Sequence, residues 1–292
     1  MIVSKHIPIS YIIGSTYKDL SILILFTTFA FILHLYVSFF TVPIAIPAFL
    51  GTAISLVLSF NLAQSYDRWW EARKIWGEIV NDSRALTLQL KRFTKEEDKE
   101  RLKEIGKLQI AWNYALVSML RKNEIYTESL NYIPKDKQDS FMLATHKPLW
   151  ISNTIQEKLK LFTSLNSYEQ VHIDSTLTRL IAHMGKSERI KNTIFPREYQ
   201  MLLHLAIYFF LGFLSISLSN LGHNWEIFLL ILISAPFFLL ESTARHLQDP
   251  FENEPSDVPI FSISRNIEIN ILTLIEEENL PQPIKDNGFF IN

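Results

Sequence analysis

The chain has 292 residues, with 28 Lys and Arg against 30 Asp and Glu, a formal net charge of -2, and no cysteine. That balance gives no global basic field for nucleic acid. The lack of cysteine excludes disulfides, thiolate metal sites, Cys nucleophiles and Fe–S clusters. Mean hydropathy is +0.12, which suggests apolar blocks attached to a substantial soluble part.

The opening Met1-Ile-Val-Ser-Lys-His-Ile-Pro lacks the charged-then-apolar layout of a cleaved leader, so the first apolar helix is expected to be retained. Residues 20–66 contain no Asp, Glu, Lys or Arg. One crossing needs roughly 20 residues, so this run predicts helices over 20–40 and 48–66, with Pro43 and Pro47 at the turn. A second block, 199–240, has Glu226 as its only acidic or basic residue. Asn220, Gly222, His223 and Asn224 mark its turn, predicting helices over 199–218 and 225–245. Four crossings result.

Between the blocks, 83–121 has apolar residues at helical spacing (Leu86, Leu90, Phe93, then Leu102, Ile105, Leu108, Trp112, Leu116), with a turn expected at 94–99. Residues 122–149 read as loop-rich, and 150–184 as helical again. The turns inside the blocks carry no Lys or Arg, and most basic residues lie in 67–198. By the positive-inside rule, both termini and the middle segment are cytoplasmic. The expected layout is an N-terminal cytoplasmic segment 1–19, helices one and two in 20–66, a helical cytoplasmic domain 67–198, helices three and four in 199–245, and a cytoplasmic tail 246–292.

Several residues stand out for chemistry. Trp69-Trp70 alone suits a membrane interface, where aromatic rings collect. His34 and His204 lie inside crossings, where ionisable residues are functional candidates. Two such histidines would ligate a haem in a four-helix membrane cytochrome, the alternative to a channel; interhelical hydrogen bonding is the plainer reading. Glu226 suits a helix start by its charge and would also attract cations at a pore mouth. Enzyme signatures are absent: no phosphate-binding Gly-rich loop, no zinc-spaced histidines, no nucleophile elbow.

Phe60-Asn61, Ser65-Tyr66, Arg68-Trp69-Trp70-Glu71-Ala72-Arg73, Trp76-Gly77 and Asn81-Asp82-Ser83-Arg84 together closely resemble the signature of the bestrophin family in its bacterial branch. Gly14-Ser15-Thr16-Tyr17-Lys18, the run from Ser187 to Thr193, and Asp249-Pro250-Phe251 with Asp257 and Pro259 extend the resemblance over most of the chain. It implies an all-α membrane protein, a homopentamer around one axial pore in the bacterial inner membrane. Its partners are copies of itself, the bilayer and small permeant ions. Chloride is the family default; sodium or potassium is a close rival. The pore-lining positions it implies are Thr52, Leu56 and Phe60, with Gln64 and Arg68 continuing the row below. Steps of four drift about 40° each on a helix of 3.6 residues per turn, so Thr52, Leu56 and Phe60 share one face. Thr52 departs from the bulkier aliphatic residue common in relatives. An apolar ring of this kind controls ions by dewetting rather than by fixed charge. In animal members a denser acidic run in the tail clasps calcium; Glu254 and Asp257 align with its side-chain ligands. Pro255 and Ser256 interrupt the run here, and calcium wants six to eight oxygens. The plainer expectation for these acids is helix capping and salt bridging. No other cofactor is implied.

Overall fold

A computed structural model describes residues 1–2, 8, 11, 14, 17–18, 21–22, 24–26, 28–29, 32, 42–193, 196–219, 223–285, 288 and 290–291. Much of the expected first crossing, including His34, lies outside the described residues, as does the turn at 220–222. The described positions between 17 and 32 all have helical backbone.

The long helices are α1 (Ala45–Phe93), α2 (Lys99–Arg121), α5 (Lys147–Leu159), α6 (Ser167–Asn192), α7 (Arg197–Leu218), α8 (His223–Gln248) and α9 (Ile260–Leu274). Two short ones, α3 (Thr127–Asn131) and α4 (Gln138–Leu143), lie in the stretch read as loop-rich. Among the described residues the only bridge of strand type is Ile2 with Phe290. Among the described residues, three helices are long and apolar enough to cross a membrane: Ala45–Phe93, Glu198–Leu218 and Trp225–Gln248.

The chain forms two compact units. One contains Ser4–Arg68 and Ile194–Gln248; the other contains Met1–Val3, Trp69–Thr193 and Asp249–Asn292. In the first, hereafter the apolar unit, Ile54 and Leu58 of α1 join Leu203, Ile207, Phe210, Leu211 and Leu214 of α7 and Leu230 and Phe238 of α8 in one core. A Cβ at Gly51 would sit 2.9 Å from the Phe210 ring. Only a glycine admits so close an approach, a common device between membrane helices.

In the second unit, α2 is buried on almost every side, as a central helix must be. It packs against α5 and α9. Gly106 lets Ile271 of α9 and Ile275 just beyond its end come close, with methyl groups 3.3 and 3.2 Å from where its Cβ would be. Tyr114 and Tyr132 each donate a 2.6 Å hydrogen bond to Glu268, and Arg265 lies 3.2 Å from the same carboxylate. Burial first, and then the carboxylate, push both tyrosines well above the usual phenol range.

Three sequence expectations change. The second helix does not end near Tyr66 but runs on to Phe93. Its buried stripe continues through Ala72, Ile75, Trp76, Ile79, Leu86 and Leu90, so the helical period outlasts the change from apolar to charged surroundings. The expected helix over 150–184 is broken at 160–166. Asn166 caps α6 there, with Glu169 completing the box. Asp98 gathers the backbone N–H groups of Thr163 and Ser164, both at 3.1 Å, and the Ser164 hydroxyl at 2.7 Å. Burial opposes that carboxylate's charge, but these donors and Arg101 outweigh it and lower its pKa to about 2. The tail also holds a helix, α9, that sequence reading did not anticipate; its buried residues Ile260, Ile267, Ile271 and Leu272 complete the core.

Candidate ion pathway

On α1 the buried positions Gly51, Ile54, Leu58, Asn61 and Ser65 form one stripe, and Thr52, Leu56, Phe60 and Gln64 lie on exposed faces. Leu56 is 60% and Phe60 59% exposed, so these large apolar groups have little to cover them within one subunit. The Thr52 hydroxyl donates to the Ala48 carbonyl at 2.9 Å, and Ser55 does the same to Gly51 at 2.7 Å. Such back-bonding satisfies the hydroxyl inside its own helix, so Thr52 adds little polarity to the row. At the lower end, the Arg68 Nε donates to the Gln248 backbone carbonyl. A cation there suits the C-terminus of α8, where unpaired carbonyls gather.

The signature residues after Arg68 act mainly as fasteners. The Trp69 indole donates to the Ser256 carbonyl at 3.0 Å and stacks on Trp70 with ring centroids 6.2 Å apart. Glu71 pairs with Arg189 at 2.6 Å. Trp76 is fully buried. The Arg73 guanidinium passes beside Gly77, at ordinary contact distance from where a Cβ would stand. Asp82 receives Arg179 at 2.8 Å and His183 at 3.0 Å.

The acidic tail is a capping and salt-bridging structure. Asp249 pairs with the mostly buried Lys191 at 2.5 Å. Asp257 Oδ2 accepts the Glu254 N–H at 3.0 Å, while the Glu254 side is exposed. Burial pushes Asp257 up to about 7, with Asp249 and Glu254 adding repulsion and backbone N–H groups of Glu254 and Glu252 opposing it. Among the described residues no three His, Cys, Asp or Glu stand together as a metal site. Glu254 and Asp257 offer two carboxylates, one of whose oxygens is taken by the Glu254 N–H, against the six to eight oxygens that calcium prefers.

Glu226 stands in the first turn of α8, the helix start that its charge suits. Within one subunit it is buried, at 1% exposure, and accepts the Ser215 hydroxyl at 2.7 Å. His204 meets Glu241, with Nδ1 3.0 Å from both carboxylate oxygens. Glu241 was missed because the apolar block stops at Leu240, just before it. Two residues on separate helices carry no shared periodic signal, and only packing reveals their pairing.

A family profile described as bacterial/fungal bestrophin protein matches residues 6–273. The chain belongs to the bestrophin family. Bestrophin relatives include a "voltage-dependent anion channel-forming protein" of Escherichia coli, 31% identical over 86% of this chain and 82% of that one. Proteins with the same description occur in Ralstonia nicotianae (27%; 83% and 81% covered) and Nostoc (28%; 89% and 87% covered). The fold matches the crystal structure of a bacterial bestrophin homolog from Klebsiella pneumoniae, with a TM-score of 0.83, 24% identity, and 90% and 99% of the two chains covered. Bestrophin membership and the three apolar helices make this a membrane protein.

Proposed function

We propose that the protein is one subunit of a homopentameric channel that conducts small monovalent ions, anions by preference, through an apolar neck. The neck is formed by Thr52, Leu56 and Phe60 of α1 from five copies, with Gln64 and Arg68 below it. The observation that carries the reading is the exposure of Leu56 and Phe60 at 60% and 59%. A second copy, or a water-filled ring of copies, gives these side chains a role that the lone subunit does not. The preference for anions rests on the description of the E. coli relative as anion channel-forming. Within the neck no ionised side chain is present, so permeation there depends on dehydration and ring diameter.

The same reading has four crossings, 20–40, 48–66, 199–218 and 225–245, the second being the membrane part of α1. The segment 67–198 and both termini face the cytoplasm across a bacterial inner membrane. The assignment is one of conduction rather than catalysis. The cytochrome alternative would need His34 and His204 to face one haem; His204 meets Glu241 through Nδ1, and His34 lies outside the described residues.

Purified protein in liposomes tests the proposal. Single-channel currents are expected, with a reversal potential of anion sign under a potassium chloride gradient. Leu56→Ala and Phe60→Ala are expected to raise conductance severalfold by widening and wetting the neck. Unchanged conductance and selectivity in both variants would remove the neck assignment; a cation-sign potential would reverse the preference.

A further inference from the structure

Within the apolar unit, Asn61, Gln200, His204, Glu241, Arg245 and Gln248 line one pocket of about 300 Å³. This is at the lower end of small-molecule sites. Two polar atoms on its lining residues lack a protein partner: Asn61 Oδ1, on a residue 3% exposed, and Gln248 Nε2, on a residue 8% exposed. An orphaned acceptor and an orphaned donor on the residues around one pocket are costly where lipid replaces water. Other groups around them are engaged. Gln200 donates to Gln248 Oε1, and His204 holds Glu241 at 3.0 Å.

The pocket carries both signs. A simple anion would meet the Glu241 carboxylate, and a simple cation would meet Arg245. A ligand with both charges a few ångströms apart satisfies each. Its oxyanion would take Arg245 and Gln248 Nε2. Its ammonium would take Asn61 Oδ1 and the remaining lone pairs of Glu241, since a carboxylate accepts more than the one histidine.

We propose that this pocket binds a small zwitterion with a primary ammonium and an oxyanion. Two sources share that chemistry: a phosphatidylethanolamine headgroup, and a free zwitterion such as phosphoethanolamine or an amino acid. The inference goes beyond conduction and does not depend on it, because its test reads occupancy rather than current.

Full-length protein in detergent, stripped of lipid, is titrated in mixed micelles with phosphatidylethanolamine, phosphatidylglycerol or phosphatidylcholine. Free phosphoethanolamine and glycine are titrated in parallel. Bound adducts are counted by native mass spectrometry, and Tm is followed by tryptophan fluorescence. Phosphatidylethanolamine or a free zwitterion is expected to be retained and to raise Tm. Retention of the lipid alone identifies the headgroup, and retention of the free compounds identifies a soluble ligand; either supports the site. Arg245→Gln, on an exposed residue, and Asn61→Leu are expected to weaken retention about tenfold or more, the usual worth of a charged hydrogen bond. Arg245→Gln keeps the test open if Asn61→Leu fails to fold. Equal retention of phosphatidylcholine or phosphatidylglycerol, no adduct with any probe, or full retention by Arg245→Gln would overturn the proposal.

Discussion

Asp257 shows how a residue's surroundings reverse its usual effect on stability. An aspartate normally titrates near 3.8, but burial raises this one to about 7. The fold therefore favours the protonated form. Its contribution is fully present below pH 4 and is lost as pH rises toward and through 7, at up to about 1.4 kcal/mol per unit in between. Thermal melts are expected to give a lower Tm at pH 8 than at pH 5. Asp257→Asn, which keeps an acceptor for the Glu254 N–H, is expected to flatten that dependence; an unchanged slope would assign it to other groups. The sequence could show that acids cluster here. It could not show that Asp249 takes Lys191 while Asp257 turns inward, because that choice depends on which side chain the core covers.

At the scale of elements, sequence periodicity was most informative where one face is buried and least where capping decides. Spacing marked Leu86 and Leu90 in the charged half of α1, though not the helix's continuity past Tyr66, and the ends of α7 and α8 fall within three residues of expectation. The break before α6 could not be read from spacing, because it rests on Asp98 gathering donors from residues 65 and 66 positions away. Glycine spacing was similarly silent. Gly51 looks like any small residue in an apolar run, yet it sets the approach of α1 to α7. Gly51→Ala is expected to push the Phe210 ring aside and destabilise the pair by about 1–3 kcal/mol, the usual cost of overpacking. Tm of the detergent-solubilised protein measures it; no loss would mean that the ring rotates away freely. The row Thr52, Leu56, Phe60 stands between these cases: its shared face follows from helix geometry, but its exposure needed the packed structure.

At the scale of the whole molecule, one subunit leaves Leu56, Phe60, Phe49, Met201 and Leu202 exposed. Lipid covers some apolar surface of any membrane protein, but a pore requires that one such face turn toward copies of itself. Mass photometry of the detergent-solubilised protein is expected to give five times the 34.0 kDa subunit mass after subtraction of the micelle. A monomer would end the channel reading while leaving the zwitterion pocket, which lies within one chain, open to its own test.

The two compact units alternate along the chain, each built from segments separated by the other. This sets the order in which the protein can be made. The unit containing α2 draws part of its core, Phe251, Val258, Ile260, Ile267 and Ile271, from a segment that follows α7 and α8 in the chain. Its earlier helices must wait, with their apolar faces uncovered, while α7 and α8 are made. Such a chain has no early stopping point at which that unit is finished, so synthesis itself passes through an aggregation-exposed interval. Rare-codon pauses or truncations before α9 would lengthen that interval rather than trim a dispensable tail.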